Sequence, residues 1–428
     1  MNPDRFTLRR RNAGEVSGTP AEPLAAEILE GAGAIVAEVA AGGDAALERL
    51  ARRFDGKDPD APLVHGREAL VAALGGLEPG VRGLLERVAG RIASFAAAQR
   101  ASLRPVVTEV PGGRAGHDLI PVDAAGCYAP GGRHPLPSSV LMTVVTARAA
   151  GVPTVIACCP RPDPVVLAAA AIAGADSLVA AGGAHAIGAL AHGTDSVPAC
   201  QAIVGPGNVW VTAAKRIVSS WVRTDGEAGP SELVVVADAS CDPELVAADL
   251  IAQAEHDVLA RTVLVSLDET LILRVEESLA RRLDGLPTAA TARAALTGGF
   301  AVLVGDQCEA VELCNRLAPE HLQWMAAGGR RPAGLRHYGG LFLGAGAAEV
   351  LGDYGAGPNH VLPTAGQARL RGGLSVLDFL KVQTWLQVDD PGASAGLAED
   401  ARDLARLEGL EGHARAAGLR IPAFRRRA

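Results

Sequence analysis

Apolar positions recur every three to four residues over 22–56 and again over 68–100, as in AEILEGAGAIVAEVA and VRGLLERVAGRIASFAAA, interrupted by the turn GLEPG (76–80). This periodicity predicts an amphipathic helical start to the chain. From about residue 120 the pattern changes to short runs rich in valine and isoleucine. TVIACC (154–159), DSLVAAGG (176–183), QAIVG (201–205), ELVVVAD (232–238), TVLVS (262–266) and FAVLVG (300–305) are each followed by a helix-like stretch. Strand-helix alternation of this kind predicts an α/β fold with parallel sheets covered by helices. It falls into two similar blocks, roughly 126–230 and 231–345, separated at the turn-rich DGEAGPS (225–231).

The expected organisation is a helical segment 1–125 leading into the first α/β domain, an α/β domain over 126–230, a second over 231–372, and a helical segment 373–428. That last segment, polar and helical through SVLDFLK and LAEDARDLARLEGLEGHARAAG and ending in the basic FRRRA, is too small to hold a core alone. It is expected to dock, on its own chain or on a partner subunit.

Composition narrows the partners. With 428 residues, 49 % hydrophobic content and a net charge of −8 from intermixed signs, the chain has core to spare and no basic footprint for nucleic acid or an anionic membrane surface. No apolar run approaches the ~20 residues of a membrane span, and no secretory pattern follows the N-terminal basic residues. The seven cysteines are scattered without a Cys-x-x-Cys pair, which reads as reduced thiols in a cytoplasm. Small molecules are the expected ligands.

No Gly-x-Gly-x-x-Gly follows a predicted strand, and Walker and Gly-x-Ser-x-Gly motifs are absent. Chemistry concentrates instead in turn-rich clusters. GCYAPGGRHPLPSS (126–139) is an irregular loop in which Ser138 or Ser139 can cap the following helix, a setting suited to an anionic ligand or to a plain connection. VGPGN (204–208) is a strand-to-helix turn where Asn208 can cap or touch a ligand. In QAEHD (253–257), Gln253 and His256 are three apart, so on a helix they share a face and can converge on one atom, a metal or merely solvent. GDYGAGPNHVLPT (352–364) brings Asp353 and His360, EGLEGHA (408–414) brings Glu408 and His413, and APEHL (318–322) sets Glu320 beside His321. In a regular strand Glu320 and His321 point to opposite faces, so use of both requires either a departure from strand geometry near Pro319 or approach to the reacting carbon from different sides.

The ordered series Y-x-PGG, VGPGN, GPSE, QAEHD, APEHL, GDYxAGPNHVLPT, GLSVLDFLK and EGLxxHA resembles the histidinol dehydrogenase family over about residues 20–420. The resemblance implies a zinc-bound, NAD-dependent enzyme, with one Zn2+ per subunit, that oxidises a primary alcohol to a carboxylate in two hydride transfers. It also implies two related, incomplete Rossmann-like domains and a homodimer with shared active sites. Carried over by position, Gln253, His256, Asp353 and His413 match the zinc ligands, with His413 expected from the other subunit, and Glu320 and His321 match the catalytic pair. Ser231, Glu408 and His321, together with the four ligand positions, match substrate contacts; Tyr128, His185 and Asn208 match cofactor contacts. The residue types suit the chemistry: His321 as the base for the hydroxyl proton, Glu320 as the group that activates water for the second oxidation.

Three positions depart from the histidine-biosynthetic pattern. His185 stands in GGAHAIGALAHGT where glutamine is usual, Leu136 replaces a tyrosine before PSS, and Thr143 replaces an asparagine after Met142. GCYAPGGRHPL and MTVVTARAAGV are similar to the paralogous sulfopropanediol dehydrogenases, whereas GDYGAGPNH and GLSVLDFLK are similar to the histidinol enzymes. The substrate expectation is therefore L-histidinol, with another small primary alcohol, amino alcohol or diol as the alternative.

Overall fold

The computed structural model describes residues 6–18, 24–131, 135–227 and 229–421. Part of the loop 126–139 and the basic tail 424–428 thus lie outside the described residues. The chain divides into two compact units, one of 1–98 with 122–379 and one of 99–121 with 380–428.

The first unit contains the predicted helical start, as the helices Ala26–Leu50, Arg67–Gly75 and Pro79–Ser102, the last of which runs on past the unit's edge. It also contains two six-stranded sheets with a shared plan. In one, the parallel strands Ala124–Tyr128, Thr154–Cys158, Ser177–Val179, Ala202–Val204 and Arg223–Thr224 lie in the spatial order third, second, first, fourth, fifth, and Val64–Gly66 adds an antiparallel edge beside the third. In the other, Glu232–Ala237, Arg261–Ser266, Phe300–Leu303, His321–Trp324 and Gly340–Leu343 follow the same order, with Arg9–Arg10 as a parallel edge beside the third. The order reverses between the first and fourth strands of each sheet, so each has a topological switch point where a crevice can open.

The second of these sheets is buried on both faces, which is why its strands read as continuous apolar runs. Leu233, Val235 and Ala237 enter one core with Leu250, Leu264 and Val275, while Val234 and Val236 enter another with Val263, Leu322 and Trp324. Helices flanking the sheets begin on short acceptors: the side chains of Asp163, Asp242, Asp268 and Asp306 each accept a backbone N–H of the first turn. The helix before which Ser138 and Ser139 were expected to cap differs. It spans Pro137–Ala150 with Leu136 in the cap position and no side-chain cap, because proline at the first turn moves the start upstream of both serines.

The second unit is an antiparallel three-stranded sheet, Leu380–Val388 with Gly113–Pro121 and Val106–Val110, and a helical pair, Ala395–Leu407 and Glu411–Gly418. The strand Leu380–Val388 corrects the expectation of helix through SVLDFLK: a 3-10 turn at Val376–Phe379 gives way to extended KVQTWLQV, whose β-branched and aromatic residues suit a pleated surface. Among the described residues no helix is long and apolar enough to cross a membrane. All seven cysteines are free.

Candidate functional site

The centre forms at the amino edge of the second sheet. The helix Gln307–Leu317 ends at Ala318, which adopts the left-handed conformation (φ 47°), and Glu320 is a bend residue before the strand begins at His321. The departure from strand geometry therefore starts one residue before Pro319. Because Glu320 is not in the strand, its side chain and that of His321 converge instead of pointing apart, with Glu320 Oε2 3.6 Å from His321 Nδ1. Both are buried.

Backbone groups fix each of them. Glu320 Oε2 accepts from the Glu232 N–H at 2.8 Å, and His321 Nδ1 lies 3.1 Å from the Glu232 carbonyl. A carbonyl only accepts, so Nδ1 carries the proton and Nε2 is the bare nitrogen of the neutral ring. Nε2 is buried without a hydrogen-bond partner; Asp353 Oδ1 is 3.4 Å away but not in hydrogen-bond alignment. Ser231 is half-buried immediately before the strand Glu232–Ala237.

Gln253 comes from the helix Pro243–Ala254, whose inward stripe is Val246, Ala247, Leu250 and Ile251. Gln253 continues that stripe, which explains its complete burial. The helix stops at Ala254, and His256 lies beyond it in an exposed turn. Convergence with Gln253 on one helix face is therefore corrected: His256 takes part through the turn, not through helical spacing. Its imidazole joins carboxylate oxygens of Glu349 and Asp353, and these three donor atoms all lie within 4.8 Å of one another. Asp353 ends the short helix Glu349–Asp353, and its backbone carbonyl is 2.9 Å from His360 Nδ1.

Glu349 escaped the sequence reading. Surrounded by small and apolar residues in GAGAAEVLGD, it resembles an ordinary helical carboxylate, yet only 2 % of it is exposed. The available signal was its position four residues before Asp353, which puts both carboxylates on one helical face.

Charge in this cluster is unbalanced. Burial pushes the Glu320 carboxyl up to about 7 and that of Glu349 up to about 8. Burial alone lowers the pKa of His321, but Glu320, Asp353 and Glu349 outweigh it and push the imidazole up to about 10, so the neutral ring with a bare Nε2 requires positive charge from a bound cation to offset these carboxylates. Burial likewise opposes ionisation of Asp353, and the adjacent His321 imidazole, with His360 and His256, still holds it below the usual carboxylate range. The His256 imidazole with the carboxylates of Glu349 and Asp353, and the Gln253 amide against Glu349, make a donor set suited to a divalent cation. Imidazole, carboxylate and amide oxygen fit zinc.

A second cluster sits at the carboxyl edge of the first sheet, at its switch point. Tyr128 ends the first strand and Val204 the fourth, with the turn Gly205-Pro206-Gly207-Asn208 following it. The Tyr128 hydroxyl accepts from the Gly183 N–H at 3.2 Å. Gly205 has φ +118°, and a Cβ there would lie 1.9 Å from the Tyr128 carbonyl oxygen. Lys215 and Asp225 clamp the turn: Lys215 Nζ donates to the Gly205 carbonyl and to Asp225 Oδ1, each at 2.5 Å, and the Gly205 N–H donates to Asp225 Oδ2 at 2.6 Å. Gly205→Ala should therefore cost at least about 1–3 kcal/mol of stability from backbone strain, before any clash, read as a lower urea midpoint. A midpoint unchanged from the parent would contradict this close approach.

Asn208 caps the helix Val209–Val218, its Oδ1 accepting from Trp210 and Val211 N–H. His185 is buried in the helix Gly183–His192, with Nε2 2.8 Å from Asp55 Oδ2, an oxygen that also accepts from the Gly182 N–H. Thr143 is buried and donates to the Ser139 carbonyl of its own helix at 2.7 Å, and Leu136 lies exposed at the helix start. Glu408 and His413 are exposed on the helical pair of the second unit.

Residues 21–421 match the family model described as histidinol dehydrogenase. Relatives named histidinol dehydrogenase include one from Ralstonia nicotianae, 45 % identical over 90 % of each chain, and one from Thermus thermophilus, 46 % identical over 94 % of this chain and 96 % of its own. The crystal structure of histidinol dehydrogenase from Elizabethkingia anophelis superposes with a TM-score of 0.90 at 29 % identity, covering 97 % of this chain and 98 % of that one.

Proposed function

Because the chain belongs to the histidinol dehydrogenase family, an oxidoreductase family, we propose that it oxidises L-histidinol to L-histidine through the enclosed aldehyde, with two NAD as acceptors. Atoms balance with one water consumed: the alcohol carbon loses two hydrides, gains the water oxygen, and releases three protons as the carboxylate forms. The single observation that carries the reading is the buried pairing of Glu320 and His321 beside Gln253 and Asp353. Zinc, bound, supplies positive charge that holds and polarises the substrate oxygen, and NAD takes up the hydrides.

In this reading Gln253, His256 and Asp353 hold the metal, with His413 contributed by the second subunit of a homodimer. His321 takes the hydroxyl proton at Nε2, the nitrogen that the Glu232 carbonyl leaves bare. Glu320, held by the Glu232 N–H, takes a proton from the water that adds to the aldehyde carbon. Ser231 and Glu408 bind the substrate; Tyr128, His185 and Asn208 line the NAD crevice.

A base must be ionised to act, and the Glu320 carboxyl is pushed up to about 7, so aldehyde oxidation should rise with pH through about 7 and level off above it. Aldehyde-started turnover from pH 5.5 to 9 checks this; a flat profile would remove Glu320 from the role. The substrate is tested by NAD reduction with zinc-loaded protein and L-histidinol against a panel of amino alcohols and small diols. NADH formation with a diol but not with histidinol would transfer the activity to the alternative substrate class.

A further inference from the structure

Asp55 ends the π-helical turn Ala51–Asp55, and only 11 % of its side chain is exposed. Its Oδ2 accepts the Gly182 N–H at 2.9 Å and lies 2.8 Å from His185 Nε2. A carboxylate oxygen attracts an N–H and repels a lone pair, so Nε2 carries the proton, and in the neutral imidazole Nδ1 is left as the acceptor. Nδ1 makes no hydrogen bond among the described residues, yet unlike His321 Nε2 it keeps accessible surface. That edge of the ring is turned toward Gly183, where a Cβ would lie 3.6 Å from both Nδ1 and Cε1. The Tyr128 hydroxyl accepts the N–H of the same Gly183, so the bare Nδ1 and the tip of Tyr128 lie beside one residue. Gly182 is the cap of the helix Gly183–His192, so this helix end already faces an anion, the Asp55 carboxylate, and does not call for a phosphate. We propose that Asp55 is a positioning residue of the cofactor crevice, which holds His185 in the Nε2–H tautomer so that Nδ1 accepts a hydrogen bond from an N–H or O–H group of the dinucleotide. This rests on the reading of Tyr128, His185 and Asn208 as lining the NAD crevice.

The test is a double-mutant cycle on NADH binding to the full-length protein, followed by calorimetry, with 15N NMR of the His185 ring beside it. Asp55→Ala should weaken NADH about 10-fold, the worth of one positioned hydrogen bond. His185→Gln brings an acceptor oxygen that needs no partner to select it, so in that background Asp55→Ala should cost less than about 2-fold. Equal losses in the two backgrounds would show that Asp55 only caps the turn at Gly182, and would overturn the proposal. The 15N shifts of the parent protein should show a protonated Nε2 and a bare Nδ1. A proton on Nδ1 would overturn the proposal as well, and this measurement stands even where Asp55→Ala does not fold. A parent protein that binds no NADH would instead sink the NAD reading, and this inference with it.

Discussion

Glu320→Gln is expected to slow oxidation of the aldehyde by about 10²–10⁴-fold, the range for loss of a positioned proton acceptor, while slowing oxidation of the alcohol by far less. Only the second oxidation requires a proton to be taken from water. The variant keeps an oxygen for the Glu232 N–H that Glu320 Oε2 now accepts, so the bend before the strand should survive. Removing a buried carboxyl whose pKa burial has raised should not destabilise the chain in the pH range where that carboxyl is ionised at a cost. The sign follows from the shift: the folded pKa, about 7, lies above the ordinary carboxylate value, so the folded state holds the extra proton between the two, stability falls as pH rises from the ordinary value through about 7, and the full cost of ionising Glu320 is present above that. Single-turnover measurements begun from alcohol and from aldehyde separate the two halves. Equal losses in both would show that Glu320 and His321 do not divide the work.

His413→Ala should lower zinc affinity by more than the about 10–100-fold that losing a mere supporting partner costs, with the thermal midpoint of the metal-free protein unchanged. His413 is exposed on the helix Glu411–Gly418, so its own unit loses no core contact when the ring is removed. Elemental analysis after gel filtration checks the metal content. Full zinc retention would remove His413 from the ligand set and leave Gln253, His256 and Asp353 to account for binding.

The sheets were legible because burial on both faces writes them into the chain as apolar runs such as ELVVVA and TVLVS, and the helical start because its apolar stripe repeats at the helical period. The antiparallel sheet of the second unit was not. Val106, Val107, Val382 and Leu386 are exposed on it, so no buried face stamps a contrast with the neighbouring polar positions. In the site, the types at Gln253, Glu320, His321 and Asp353 marked the chemistry, but their geometry depended on particulars that spacing does not encode. The helix ends at Ala254, which carries His256 out of register, and left-handed Ala318 turns Glu320 and His321 toward one another. Glu349 remained hidden because its burial is set by residues nearly a hundred positions away in the chain, Gln253 among them. The pairing of His185 with Asp55 spans 130 positions and was equally out of reach.

The most direct measurement of the central claim is the stoichiometry of NADH formed per L-histidinol consumed by zinc-loaded protein. Two NADH for each histidinol, with histidine as product and no aldehyde released, is the predicted result. One NADH with free aldehyde, or none at all, would contradict it.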